Sequence, residues 1–199
     1  MISEPGKNLL QRLEEQLSGN RSERQTEWAA RPAAVLVPLY WDQSGWHLLF
    51  TRRTEQLGSH RGQVSFPGGG IDPKDRNPIE TALRETEEEI GIPAEAIRVL
   101  GCMDKLITVT QYEITPVVAV LPWPQPLQIN HSEVARVFGV PILWLADPDN
   151  LELRHRLPMI SGPSIPVYFF KPFDAEIIWG ATARIVLAFL DLLDLRPDT

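Results

Sequence analysis

The stretch Pro67–Pro93 constrains this chain more than any other. Three consecutive glycines, Gly68, Gly69 and Gly70, lead through Asp72 and Asp75 into a helix whose two ends are both marked in the sequence. Asn77 is a favourable N-cap, Pro78 suits the first helical position, and Glu80 completes a capping box. Gly91 stands where a left-handed residue closes a helix, and Pro93 follows it. At about 100° per residue, Ala82, Leu83, Thr86 and Ile90 fall within about 60° of Ile79, which gives one apolar face. Glu85, Glu88 and Glu89 share an arc beside that face, whereas Glu80 and Glu87 point elsewhere. The run Glu87-Glu88-Glu89 is therefore divided between a cluster and the solvated side.

Acidic runs on helices are usually solvated faces, but carboxylates side by side on one arc repel each other and weaken the helix. A divalent cation removes that cost, and oxygen donors select a hard ion such as Mg²⁺ or Mn²⁺. Arg84 lies next to the arc and can steer Glu85 or Glu88 by a charge-assisted bond. Glycines just ahead of such a helix allow close backbone approach to a ligand, and a glycine loop with an oxygen-ligated metal suits a phosphate substrate.

Around this element the chain alternates between strands and helices. Leu10, Leu13 and Leu17 mark an amphipathic helix over residues 7–17, followed by a polar connector over 18–28. Ala33–Tyr40 and Trp46–Arg53 predict a hairpin, and Val64–Phe66 a short strand. Further strands are expected at Ile97–Leu100, Ile107–Val109, Ile114–Leu121, Glu133–Phe138, Val167–Phe170 and Glu176–Trp179. Pro122, Pro124 and Pro126 stiffen a loop, Pro141–Leu145 predicts a short helix, and Ala181–Leu193 a terminal amphipathic one. The fold class is thus α/β or α+β, with helices layered on a sheet.

With 199 residues the chain has the size of one domain. Its net charge of −7 opposes binding to nucleic acid or an anionic membrane. No apolar run is long enough to span a bilayer, and the N-terminus has no secretory pattern. The single cysteine, Cys102, excludes an internal disulfide, fits a cytoplasmic location, and reads as a small core residue. His47, His131 and His155 show no metal-ligand spacing and read as structural.

Gly69–Ile92 resembles the box of the Nudix hydrolases, G-x5-E-x7-R-E-U-x-E-E-x-G-U, where U is apolar. Arg84-Glu85-Thr86-Glu87-Glu88-Glu89-Ile90-Gly91-Ile92 matches its second half, with Thr86 in the first apolar slot. Asp75 stands where Glu is the rule, and eight residues rather than seven separate it from Arg84. The coenzyme A pyrophosphatase subgroup shares that insertion and carries an upstream pattern that this chain resembles. The matching residues are Leu49-Phe50-Thr51, Thr54, Gly62 and Phe66-Pro67-Gly68-Gly69, with Gly58 in the place of an arginine. Ile114-Thr115-Pro116-Val117-Val118, Glu133-Val134 and Trp179-Gly180-Ala181-Thr182 are similar to the subgroup as well.

The resemblance implies a Nudix fold over residues 29–194, with residues 1–28 as an N-terminal helix and connector. It implies Mg²⁺- or Mn²⁺-dependent hydrolysis of coenzyme A or a derivative to adenosine 3′,5′-bisphosphate and 4′-phosphopantetheine, by a monomer or homodimer. By motif position Glu85, Glu88 and Glu89 would hold the metal, Arg84 would orient them, and Glu88 or Glu133 would be the base. His60, Arg61, Gly62, Gly68 and Gly69 would meet the substrate. Arg61 is expected to supply the phosphate contact that Gly58, having no side chain, cannot make. Another nucleoside diphosphate such as ADP-ribose, and a silent nucleotide-sensing module, are the alternative readings.

Overall fold

The computed structural model describes residues 4–18, 30–55, 61–156 and 165–197. The chain opens with α1 (Glu4–Ser18), then β1 (Arg31–Asp42), β2 (Gly45–Arg53), β3 (Val64–Ser65) and β4 (Gly68–Gly70). After α2 (Pro78–Ile90) come β5 (Arg98–Cys102), β6 (Leu106–Ile107), β7 (Tyr112–Val120) and β8 (Val134–Pro141). The short helix α3 (Ile142–Leu145) leads to β9 (Leu151–Arg156), β10 (Ile165–Phe170) and α4 (Gly180–Leu192).

One mixed sheet runs β3-β2-β1-β7-β5, with β4 beside β1, β6 beside β7 and β8 beside β2. β1 is the central strand. It runs parallel to β7 from Arg31–Tyr112 to Leu39–Val120, antiparallel to β2 at one end, and antiparallel to β4 at the other. Strands covered on both faces read as continuous apolar runs, and β1 does so. Ala34, Leu36 and Tyr40 join Val117, Ala119 and Leu49 beneath Ala82 and Ile90 of α2. Val37 and Leu39, with Leu48, Phe50 and Val118, face the other way.

That second face is covered by α1 and α4. Leu13, Val186, Phe189 and Leu190 are fully buried in the same cluster. Arg12 pairs with Asp194 past the end of α4, and Glu14 with Arg98 of β5. The N-terminal helix is therefore part of the main core. The polar connector lies almost wholly outside the described residues, as do Gly58 and His60.

Several elements differ from the sequence reading. Glu176–Trp179 is not a strand. The chain turns through Asp174 and Ala175, both at positive φ, and only isolated bridges join Phe173 to Glu176 and Phe169 to Trp179. β9 has a charged, alternation-poor sequence, and its pairing with β10 in a separate ribbon is not visible in it. The glycines at 68–70, expected as a loop, form strand β4 paired with β1. Glu80 does cap α2, but its carboxylate accepts from the backbone of Arg76 rather than Asn77.

Leu13→Ala is expected to destabilise the protein by about 2–5 kcal/mol, as for other fully buried leucines. Urea unfolding measures it, and an unchanged midpoint would mean α1 is not part of the cooperative core.

Candidate active site

Two features place α2. Asn77 Oδ1 accepts from the Glu80 backbone N–H at 3.0 Å, which fixes the first turn. Gly91 ends the helix at φ 72°, and its backbone N–H reaches Glu87 O. A Cβ at Gly91 would stand 2.5 Å from Gln128 Cβ, so the loop before β8 lies directly across the helix end. The backbone N–H groups of Gln128 and Asn130 cap Ile90 O and Glu89 O at 3.0 and 2.9 Å.

Asp75 is folded into place by its own turn, with the Asp72 N–H donating to Asp75 Oδ2 at 3.0 Å. Arg84 meets it as a fork, Nε to Oδ1 at 3.1 Å and Nη2 to Oδ2 at 3.0 Å, and Thr81 Oγ1 adds a third bond at 2.8 Å. The Arg84 guanidinium first, then Thr81, hold the Asp75 carboxyl well below the usual carboxylate range. The longer gap between Asp75 and Arg84 is thus accommodated in the loop while the bidentate pair stays intact. Arg84 Nη1 turns the other way and donates to Glu85 Oε1 at 2.8 Å and Glu88 Oε2 at 3.3 Å. Every nitrogen of the Arg84 guanidinium is engaged with a carboxylate.

The three arc residues differ in depth. Glu88 is 57% exposed and Glu89 only 3%, as their angles from the apolar face require. Glu85 lies between, against Gly69, where a Cβ would come within 2.6 Å of its carboxylate oxygens. Gly69 is therefore required by Glu85, and Gly68, at φ 153° and packed on Ala34 O, by the close approach of β4 to β1. Burial raises the Glu85 carboxyl against the pull of Arg84. Burial pushes Glu89 up to about 8, opposed by Arg53 and reinforced by Glu85 and Glu133.

Glu133 reaches this group from outside the helix. Its backbone carbonyl accepts from Thr54, and its Oε1 from Asn130 Nδ2 at 3.3 Å. Gly62, at φ 63°, packs on Glu55, and exposed Arg61 precedes it. The structure brings Glu85, Glu88, Glu89, Arg84 and Glu133 to one place with Gly68 and Gly69. Arg53, Thr81 and Asn130 belong to the same place and are absent from the sequence reading. Only Asn130 carried a signal, the Asn-x-Ser turn in which its Oδ1 accepts from the Ser132 backbone.

Glu89 Oε2 is buried and has no hydrogen-bond partner among the described residues. Such an orphan among repelling carboxylates, all hard oxygen donors, fits a divalent cation. Among the described residues no three side chains stand as a closed ligand set, since the Arg84 Nη1 lies between Glu85 and Glu88. An acid raised in the folded state stabilises it fully below its unfolded value, 4.5, and ceases to do so as pH rises through about 8. Metal-free protein should therefore lose thermal stability between those values, and Glu89→Gln should flatten the slope. Calorimetry in chelator decides it, and the same slope in both proteins would assign the effect to another group.

The comparisons with known proteins agree with this geometry. The NUDIX domain model matches residues 30–159. The chain is 43% identical over 157 residues to the uncharacterized Nudix hydrolase NudL of Photorhabdus laumondii, covering 78% of this chain and 81% of that one. It is 36% identical to the NudL of Escherichia coli K12 over 168 residues, 84% and 85% of the two chains. Among solved structures, a MutT/nudix family protein from Enterococcus faecalis superposes with a TM-score of 0.51 at 17% identity, over 98% of this chain and 76% of that one, a likeness of fold. This chain belongs to the Nudix hydrolase family.

Proposed function

We propose that this protein is a divalent-metal-dependent pyrophosphatase that cleaves coenzyme A or a derivative into adenosine 3′,5′-bisphosphate and 4′-phosphopantetheine. The observation that carries the reading is the linkage of the subgroup-like positions through β2, β3 and the start of β8. Thr51 bonds Ser65 beside Phe66-Pro67-Gly68-Gly69, Thr54 holds Glu133, and Thr182 at the start of α4 donates to Val64 O at 3.0 Å. Residues far apart in sequence thus tie β2, β3 and the start of β8 together, with α4 bracing β3 from the other face of the sheet.

In this reading Glu85, Glu88 and Glu89 hold Mg²⁺ or Mn²⁺. The ion, when bound, neutralises the diphosphate and acidifies a water. Arg84, braced by Asp75, keeps Glu85 and Glu88 apart and oriented. Glu133 takes the proton. Glu88 Oε2 is engaged by Arg84 Nη1 at 3.3 Å, whereas Glu133 Oε1 is oriented by the Asn130 amide at 3.3 Å. By motif position His60, Arg61 and Gly62 are substrate-binding residues in this reading.

A substrate panel of coenzyme A, dephospho-coenzyme A and ADP-ribose, read by mass spectrometry with and without Mg²⁺, tests the reading. Coenzyme A should be the best substrate, with ¹⁸O from water recovered in a phosphate product. Preference for ADP-ribose would replace the substrate class, and no turnover of any member would leave a nucleotide-binding module. Glu85→Gln or Glu89→Gln should lower kcat by at least about 10³-fold in a folded protein, and Glu133→Gln by about 10²–10⁴-fold. Glu87→Gln, exposed on the far side, should be nearly silent. Arg61→Ala should raise KM for coenzyme A by about 10- to 100-fold with little change in kcat, and spare dephospho-coenzyme A if the contact is to the 3′-phosphate.

A further inference from the structure

β8 is an edge strand. It pairs with β2 and, among the described residues, with no other strand of the sheet. The two are antiparallel and in register from His47–Pro141 to Arg52–Arg136. There the register shifts: Arg53 pairs with Val134, so Ala135 has no partner across β2. Bonding then continues through Thr54, whose N–H donates to Glu133 O at 2.9 Å and whose Oγ1 donates to Ser132 O at 3.3 Å. An extra residue of this kind re-aims the side chains beyond it, and a slip by one residue turns them to the other face. The direction in which Glu133 leaves the sheet is therefore set beside Arg52 and Arg136.

Arg52 and Arg136 are direct cross-strand partners, and like charges so placed destabilise a sheet. Glu176 lies between them. Its Oε2 is 3.7 Å from Arg52 Nε, and its Oε1 accepts from Arg136 Nη1 at 3.4 Å. Its side chain is only 9% exposed. The exposed carboxylates of Glu55 and Asp174 take the remaining sides of the two guanidiniums. The turn that presents Glu176 is itself unfavourable. Phe173 and Glu176 exchange both backbone bonds at 2.9 Å, and the two residues between them, Asp174 and Ala175, have φ of 49° and 65°. A two-residue turn of that shape favours Asn-Gly, and alanine has no polar side chain to support left-handed backbone. Strain kept at such a position points to a task for the residue that the turn holds.

We propose that Glu176 is a positioning residue for Glu133. By bridging Arg52 and Arg136 it locks the register shift from which Glu133 enters the acidic group. It acts from the face of the sheet that carries Phe138, over whose ring Arg136 lies, and α2 is on the other face. An edge strand bonded on one side only depends on such a clamp, because its backbone bonds alone do not forbid a slip. The proposal rests on the reading of Glu133 as the proton acceptor, and it holds for any nucleoside diphosphate, whatever is attached.

The test is a double-mutant cycle in the full chain, with coenzyme A and ADP-ribose as substrates in saturating Mg²⁺ and the thermal midpoint recorded for every variant. On whichever substrate is turned over, Glu176→Gln should lower kcat by about 10- to 100-fold and leave KM within about threefold. In the Glu133→Gln background the same substitution should change kcat by less than about twofold, since a group that acts only through Glu133 then has nothing to position. Glu176→Asp keeps the charge on a shorter stem and should fall between wild type and Glu176→Gln. If Glu176→Gln does not fold, Glu176→Asp carries the cycle, and its loss must likewise vanish in the Glu133→Gln background. Equal losses in both backgrounds would overturn the proposal, because Glu176 would then support the fold at large. An unchanged kcat in the wild-type background would overturn it too. A silent Glu133→Gln would remove Glu133 as the base and the proposal with it, and wild type that turns over neither compound would overturn the pyrophosphatase reading as well.

Discussion

Arg84 is the charge on which the site depends. A guanidinium held by Asp75 on one edge and by Glu85 and Glu88 on the other converts a self-repelling helix surface into a balanced one. The balance is local and incomplete. It leaves Glu89, one turn from Glu85 and almost fully buried, with an oxygen that no group among the described residues satisfies. The remaining structure serves this imbalance. β4 brings Gly69 against Glu85, Arg53 approaches from β2, and Glu133 approaches from the start of β8.

The sequence carried this helix well because its signals are local. Asn77, Pro78 and Gly91 each do what their chemistry predicts, and the angular separation of Glu87 from Glu89 appears as a difference between exposure and burial. The strands of the main sheet were legible for a different reason. A strand covered on both faces has no polar side, so β1, β2 and β7 stand out as apolar runs. What was not legible depends on residues distant in sequence. Arg53 reads as a strand-end arginine until β2 is placed beside α2. Asn130 reads as a turn residue until its amide meets Glu133. Glu176–Trp179 reads as a strand from composition, but Glu176 is drawn to Arg136 and Arg52, and the backbone turns to deliver it.

Two different packing problems meet in the sheet. On the α2 face the core is built from small and medium side chains, Ala34, Leu36, Leu49, Ala82 and Ile90, which keeps the acidic helix close to the strands. On the other face large residues dominate, Phe50, Phe138, Phe170 and Phe189, with α1 and α4 closing over them. The close face carries the acidic arc, and the thick face holds the larger of the two apolar clusters.

The strap from Leu121 to Glu133 has an uneven character. Its first half is held by apolar packing, Trp123 against Tyr40 with ring centroids 4.3 Å apart and Leu127 on the cluster beneath α2. Its second half is pinned at Gln128 and Asn130 to the last carbonyls of the helix, and Gly91 has no side chain because Gln128 occupies that space. Insertions should therefore be rejected between residues 128 and 133, since one added residue there would shift Glu133 relative to Glu89. The same few residues act as a ruler between two carboxylates on different elements.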